Sequence, residues 1–222
     1  MIRKLQGHLA DGLAASAELT CATDGSSRDD VGACAVVSEN FAVTTSDDRE
    51  DQTPFKYEML ALWLLFAALS RVSNMGQLGR LYVLVDCQAA LQALQRPSDC
   101  CLHALAVDIV RMQSDVRRQG LQVTLHWIPS HGKHVTWCSP NRLSVGLCRD
   151  LNDKADKEAN RCRSRRAHGS ARARWHQERL DALQWETKVI CAAAEASSLL
   201  QQHVAATLQA ARAAVEAPGE DV

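Results

Sequence analysis

The stretch from Phe55 to Val72 constrains the fold more than any other part of the chain. Read as a helix, it is apolar on nearly every side: Met59, Leu60, Leu62, Trp63, Leu64, Leu65, Phe66 and Leu69 leave no polar face. A helix that is hydrophobic all round must be buried, here against a sheet. Thr53-Pro54 supplies its start, a capping hydroxyl followed by proline at the first helical position. The segment from Asn74 to Gly79 breaks it. One residue is out of character. Glu58 places a carboxylate near the N-terminus of a helix bound for the core, and it needs a reason to be there.

The partner sheet is legible on both sides of that helix. Leu19 to Thr23 reads as a strand ending on Asp24-Gly25-Ser26-Ser27. Val31 to Ser38 is apolar and rich in valine, and Glu39-Asn40 turns it into Phe41 to Thr45. Three strands joined by short links predict an antiparallel meander. Asp47, Asp48, Glu50 and Asp51 around Arg49 read as a solvated loop. Beyond the helix, Leu81 to Val85 is a continuous apolar run ending on Asp86, the mark of a central, parallel strand. A short helix from Gln88 to Leu94 stops before Arg96-Pro97. A longer amphipathic helix runs from Cys101 to Arg118 and ends at Gly120, and Leu121 to Trp127 makes the last strand. The result is an α/β fold, a mixed five-stranded sheet flanked by helices. Ligands collect at the carboxyl ends of strands in such sheets, where Asp24 and Asp86 are expected.

Asp150 or Asn152 is a candidate cap for a helix from Lys154 to about Arg165, which would put Asp153 and Asp156 in its first turn. Past Asn160 the character changes. Arg161, Arg163, Arg165, Arg166, Arg172 and Arg174 form a basic stretch around Gly169-Ser170, and Trp175 to about Ala217 is rich in Ala, Leu and Gln with no Gly or Pro. That segment predicts one long helix or two. Its stripe of Leu200, Val204, Leu208, Ala211 and Val215 needs a partner, either the domain's own surface or a second copy of the helix. The expected organisation is a lead-in over 1–18, in which the Ala/Leu-rich Leu5 to Glu18 forms a short helix or a frayed segment, one domain over 19–166 and a helical extension over 167–222.

Composition excludes several classes. A net charge of −1 offers no global attraction to nucleic acid or membrane, so such binding must be local. Nine cysteines without C-x-x-C spacing point to a reducing, intracellular compartment, nucleus or cytoplasm, rather than a disulfide framework. No run approaches the ~18 apolar residues of a membrane span. Met1-Ile2-Arg3-Lys4 lacks the apolar run of a secretory signal, and Asp11 and Glu18 argue against an organelle-targeting helix.

Four acidic positions stand out: Asp24, Glu58, Asp86 and Asp156. Adjacent strand ends and two helix N-termini can converge at one edge of the predicted sheet. Carboxylates crowded there repel one another and protonate unless a cation neutralises them. Hard oxygen ligands select Mg²⁺ or Mn²⁺ over Zn²⁺, and two such ions ~3.5–4 Å apart suit phosphodiester hydrolysis. A zinc site from His131, His134, Cys138 and Cys148 has no recognisable ligand spacing. The remaining cysteines read as small core or interface residues, Trp63 and Trp127 as core, and Trp137 as the aromatic placed to touch substrate.

From Leu19 to Arg165 the chain resembles the ribonuclease H type 1 domains of reverse-transcribing elements. Thr23-Asp24-Gly25-Ser26 resembles that family's T-D-G-S strand, and Glu58-Met59-Leu60-Ala61-Leu62 its E-x-x-A-L helix. Asp86-Cys87-Gln88-Ala89-Ala90-Leu91 is similar to the D-S-Q-x-x-L segment. Trp127-Ile128-Pro129-Ser130-His131 is similar to the W-[IV]-x-[GS]-H loop, and Asn152-Asp153-Lys154-Ala155-Asp156 to the closing N-E/D-x-A-D. The resemblance implies a ribonuclease H-like fold and Mg²⁺-dependent (or Mn²⁺-dependent) endonucleolytic cleavage of the RNA strand of RNA–DNA hybrids, leaving 5′-phosphate and 3′-hydroxyl ends. It implies that Asp24, Glu58, Asp86 and Asp156 hold the metal. His131 matches the mobile-loop histidine that assists proton transfer and product release. Ser26 and Gln88 match positions that touch the substrate backbone or 2′-OH, the groups by which an A-form-like groove is read. Asp153 matches an acidic position beside the ligands, with capping as its alternative role.

Three departures qualify the match. The segment between His131 and Asn152 is longer than the family's usual loop. No basic, Trp-containing handle lies between Leu94 and the Cys101 helix. The tail after Arg166 lies outside the domain, as in a larger retroelement protein or a derived free-standing copy. The competing reading is a non-catalytic hybrid-binding or assembly module, which has little use for four acids. Transposases and exonucleases of the wider ribonuclease H-like group use a different acid pattern.

Overall fold

The structure is a computed structural model that describes residues 1–28, 31–47, 52–72, 79–130, 136–139, 143–167 and 170–216. The all-apolar helix is present as α2, Pro54–Leu69, and Thr53 caps it by accepting from the Lys56 backbone N–H at 3.2 Å. Tyr57, Met59, Leu62, Leu65, Phe66 and Leu69 are buried around it. The charge run expected as a loop lies, apart from Asp47, outside the described residues.

Five strands make one mixed sheet: β1 Glu18–Arg28, β2 Val31–Val37, β3 Ala42–Asp47, β4 Arg80–Val85 and β5 Gln122–Trp127, in the order β3-β2-β1-β4-β5. The first three are the antiparallel meander; β4 lies parallel to β1, and β5 parallel to β4. Parallel pairing needs long crossovers. They are supplied by α2 and by α3 Gln88–Gln95 with α4 His103–Arg118, joined through a 3₁₀ turn at Pro97–Asp99. α4 gives way to β5 at Gly120, whose φ of +98° is a conformation glycine adopts without strain.

One expectation fails in β1. The strand does not stop at Thr23 but runs through Asp24-Gly25-Ser26-Ser27, because its pairing with β2 continues in register from Ala22 opposite Val37 to Arg28 opposite Val31. Turn-forming residues were overridden by the ladder.

The two faces of the sheet bury different partners. Cys21, Cys34, Val36, Leu81, Val83 and Val85 join α2 and α4 in the larger core. Helix α1, Ile2–Ala15, belongs to the same core, with Leu5 and Leu9 fully buried and His8 stacked on Phe41 at 5.3 Å between centroids. The opening residues are thus a packed helix. Ala22, Ala35, Val37 and Leu84 face α5, Val145–Ala167, which contributes Cys148, Leu151, Ala155 and Ala159. Lys154 fastens α5 to the β2–β3 turn, donating to the Ser38 and Glu39 carbonyls at 2.6 and 3.0 Å.

α5 starts earlier than the acidic residues suggested. Ser144 caps it, accepting from Leu147 N–H at 3.4 Å through its hydroxyl and from Cys148 N–H at 3.0 Å through its carbonyl. Neither Asp150 nor Asn152 is the cap, and Asp153 and Asp156 lie well inside the helix. The apolar stripe at Cys148, Leu151, Ala155 and Ala159 is what carries the helix back across the segment expected as loop.

A second compact unit spans Gly169–Val222, and its helix, α6 Ser170–Glu216, is a single run of 47 residues. Leu183, Trp185, Ile190, Leu199, Leu200 and Leu208 are exposed along it. No helix among the described residues is long and apolar enough to cross a membrane.

Candidate metal centre

Sheet register delivers the first two carboxylates. Thr23 pairs with Val85 across the parallel β1–β4 ladder, so Asp24 and Asp86, the next residues along, lie side by side at its carboxyl end. β5 then holds the end of β4 in place. The Trp127 indole N–H donates to the Asp86 carbonyl at 3.2 Å, and the Ile128 N–H to the Val85 carbonyl at 3.0 Å. Trp127 therefore acts on the site by anchoring the backbone of Asp86.

Glu58 arrives from α2 because two glycines let that helix lie down on the sheet. A Cβ on Gly25 would stand 2.3 Å from the Glu58 nitrogen and 2.5 Å from the Tyr57 carbonyl carbon, while one on Gly32 would penetrate the Tyr57 ring. Gly25 is thus a strand residue whose missing side chain sets the contact. The approach is pinned further by Gln52, just ahead of α2. Its carbonyl accepts from the Ser27 hydroxyl at 2.8 Å, and its side-chain oxygen accepts from the Tyr57 hydroxyl.

Asp24, Glu58 and Asp86 each offer a carboxylate oxygen, and the three lie within 4.8 Å of one another. Asp24 is 5% exposed and Glu58 7%. One oxygen of each, Oδ2 of Asp24 and Oε2 of Glu58, is buried with no hydrogen-bond partner. Burial, more than any neighbour, pushes Asp24 up to about 8, with the charges of Asp86 and Asp156 adding to it. Glu58 is pushed up to about 9 by burial, then by Asp24, Asp86 and Asp156, and the Gly25 backbone amide offsets only part of this for either residue. Two unit charges at such a separation repel by roughly 4 kcal/mol at an effective dielectric of about 20. Without a cation, burial favours the protonated forms of Asp24 and Glu58 at neutral pH. Buried acceptors that lack a donor are expensive for the fold, and a hard divalent cation is the partner their chemistry fits.

Asp156 comes from α5, on the opposite face of the sheet from α2. It stands outside the group of three, yet its charge acts on both Asp24 and Glu58. Its Oδ1 accepts from the Asn160 amide at 2.8 Å. Ser26, expected to meet substrate, is engaged within the protein: its hydroxyl donates to Asn160 Oδ1 at 2.8 Å and accepts from Arg163 Nε at 3.0 Å. Gln88 is exposed at the first residue of α3, directly beyond Asp86. Asp153 is exposed on α5 rather than seated among the ligands. His131 lies outside the described residues, as does His134. Trp137 is half-buried and packs against the α5-side core. All nine cysteines are free, and none joins the carboxylate group, the one potential metal cluster among the described residues.

Asn160 and Arg163 were missed in the sequence. Asn160 meets Asp156 and Arg163 within one helical turn, but the partner that closes the network, Ser26, lies more than 130 residues away, and no local pattern announces it. Of the basic stretch, Arg163 and Arg166 turn back onto the sheet, the latter donating to Ser46 at 3.1 Å, and Arg161 pairs with Glu158 at 3.6 Å. Comparison of this chain with protein-family models and with curated proteins finds no match in either.

Proposed function

We propose that this chain is a divalent-metal-dependent endonuclease with a ribonuclease H-like fold, hydrolysing the RNA strand of RNA–DNA hybrids. The observation that carries the reading is the pair of buried carboxylates, Asp24 and Glu58, each with an orphan oxygen in a group closed by Asp86. Evolution tolerates buried, mutually repelling acids chiefly where function needs them. The same residues are those matched by the ribonuclease H resemblance, and Asp24 and Asp86 adjoin at the end of the inner β1–β4 ladder.

In this reading Asp24, Glu58 and Asp86 hold the metal, with Asp156 completing the set from α5. Bound Mg²⁺ or Mn²⁺ supplies charge stabilisation at the phosphodiester undergoing hydrolysis. The protein's own contribution is preorganisation. Sheet register fixes Asp24 and Asp86, the Gly25 contact fixes Glu58, and burial keeps the carboxylates out of competition with bulk water. Gln88, exposed beside Asp86, is free to reach a substrate backbone. Ser26 directs its only hydrogen to Asn160, so it can meet a ribose 2′-OH only as an acceptor.

The test is cleavage of a labelled RNA–DNA hybrid by the full chain with Mg²⁺, with Mn²⁺ and with EDTA, alongside duplex DNA and single-stranded RNA. Cleavage confined to the RNA strand of the hybrid, abolished by EDTA and leaving 5′-phosphate ends, is the expected result. Hybrid binding without cleavage in either metal would favour a non-catalytic binding module. Failure to take up either ion would remove the metal centre altogether.

A further inference from the structure

The four carboxylates reach the site from different elements, and Asp156 alone comes from α5. Asp24 and Asp86 follow from strand register, and Glu58 from the contact at Gly25. Asp156 projects from a half-buried position on α5, outside the group of three, so neither the β1–β4 register nor the Gly25 contact bears on it. What holds it is a closed hydrogen-bond triangle behind it. The Asn160 side-chain nitrogen donates to Asp156 Oδ1 at 2.8 Å. The Asn160 oxygen accepts from the Ser26 hydroxyl at 2.8 Å and from Arg163 Nη2 at 3.3 Å, and Arg163 Nε donates to the Ser26 oxygen at 3.0 Å.

Donor and acceptor roles leave this arrangement no alternative. A guanidinium has donors only, so Arg163 can face only the oxygen end of the Asn160 amide. That oxygen's two acceptor positions are then filled by Ser26 and Arg163. The amide nitrogen is left pointing along the helix to Asp156, four residues back. Were the amide reversed, its N–H groups would confront the donors of Arg163, and Asp156 would face an oxygen. A charged residue on α5 and a hydroxyl on β1 thus fix the orientation of one amide between them.

We infer that Asn160 is a positioning residue for Asp156, locked in its working orientation by Arg163 and Ser26. This rests on the metal-centre reading proposed above and adds to it the part of the machinery that sequence motifs do not include. Groups that hydrogen-bond to metal-ligating carboxylates orient them, and their loss typically costs about 10–100-fold in metal affinity.

The experiment is a calorimetric Mn²⁺ titration of the full chain, paired with metal-free thermal melting, for wild type, Asn160→Ala, Arg163→Met, Ser26→Ala and Asp156→Asn. Asn160→Ala is also combined with Asp156→Asn. Asn160→Ala is expected to weaken Mn²⁺ binding by about tenfold or more with little change in metal-free melting. Arg163→Met, which frees the amide to rotate, weakens it less. In the Asp156→Asn background, Asn160→Ala causes no further loss, since the residue it serves is gone. Wild-type Mn²⁺ affinity in Asn160→Ala overturns the inference. An equal loss with and without the Asp156 carboxylate also overturns it, because general packing would behave that way. If Asn160→Ala does not fold, Ser26→Ala and Arg163→Met, each paired with Asp156→Asn, put the same question. A wild-type chain that takes up no Mn²⁺ instead sinks the metal centre itself, and the inference with it.

Discussion

Gly25 and Glu58 touch through their backbones: a Cβ on residue 25 would lie 2.3 Å from the Glu58 nitrogen, with the Tyr57 carbonyl carbon at 2.5 Å. Neither atom is the end of a flexible side chain, so a methyl group there must move helix α2 or strand β1. Gly25→Ala is expected to destabilise the fold by on the order of 3 kcal/mol and to weaken Mn²⁺ binding at least tenfold, because the displaced helix carries Glu58. Gly7→Ala is the control. Position 7 lies in α1, where an added methyl would meet nothing within 4 Å, and the change should stabilise by about 0.5–1 kcal/mol. Urea unfolding curves of both variants decide the matter, and equal midpoints would refute the contact.

The raised carboxyls predict how stability depends on pH. Folding lifts Asp24 from 3.8 to about 8 and Glu58 from 4.5 to about 9, chiefly through burial. Between roughly pH 4 and pH 9 the native state therefore holds protons that the unfolded chain has released. Stability falls with rising pH wherever the native state binds more protons. The contribution of these two groups is complete below about pH 4 and is lost as the pH climbs through their folded values. The metal-free midpoint should drop by several degrees between pH 6 and pH 9. Mn²⁺ should reverse the trend, because it favours the ionised forms, and its binding at pH 7 should release one to two protons. Calorimetry in buffers of different ionisation enthalpy measures that release. Metal-free stability that rises across this window would contradict the burial of both acids.

Activity and stability should part company at the carboxylates. Asp24→Asn or Asp86→Asn, each alone, is expected to lower hybrid cleavage by about three orders of magnitude or more through loss of a metal ligand. Asp24→Asn should leave the metal-free melting temperature unchanged or higher at pH 8, since an amide cannot ionise in a buried, acidic surrounding. Near-normal turnover in either variant removes that residue from the centre.

Truncation after Ala167 tests how self-sufficient the first unit is. Both core clusters and all four carboxylates lie within Met1–His168, so the shortened chain should melt cooperatively, bind Mn²⁺ as the full chain does and cleave hybrid within about twofold of its rate. A molten or inactive product would show that residues 168–222 contribute to the site. Comparing the salt dependence of hybrid affinity before and after truncation tells whether Arg172 and Arg174 contact phosphate, because each lost contact reduces the slope by about one.

Much of the architecture was written locally. The all-apolar character of α2, its Thr53-Pro54 start, the apolar run of β4 and the glycine that ends α4 each depend on neighbours within a few residues, and periodicity reports such features directly. Asp24, Glu58 and Asp86 were legible for the same reason: each interrupts an apolar or strand-like pattern that has no use for a charge. Features that rest on distant partners were not. β1 continues through Asp24-Gly25-Ser26-Ser27 only because β2 supplies hydrogen bonds, and turn propensity alone argues the other way. The start of α5 at Ser144 was hidden behind better-known capping residues downstream, although the stripe from Cys148 to Ala159 already carried its period.

By itself, then, the sequence determined most of the segments that become helix and strand, that α2 must be buried, and that three acids sit where a core would not want them. Only the tertiary structure decided that Gly25 serves as the seat for α2, that Trp127 holds the backbone of Asp86, and that Asn160 stands between Asp156 and the pair Arg163 and Ser26. The physical reason is range. Propensity and amphipathic period act over a few residues, whereas close backbone approach and the donor-acceptor logic of a buried network exist only once segments far apart in the chain are packed together.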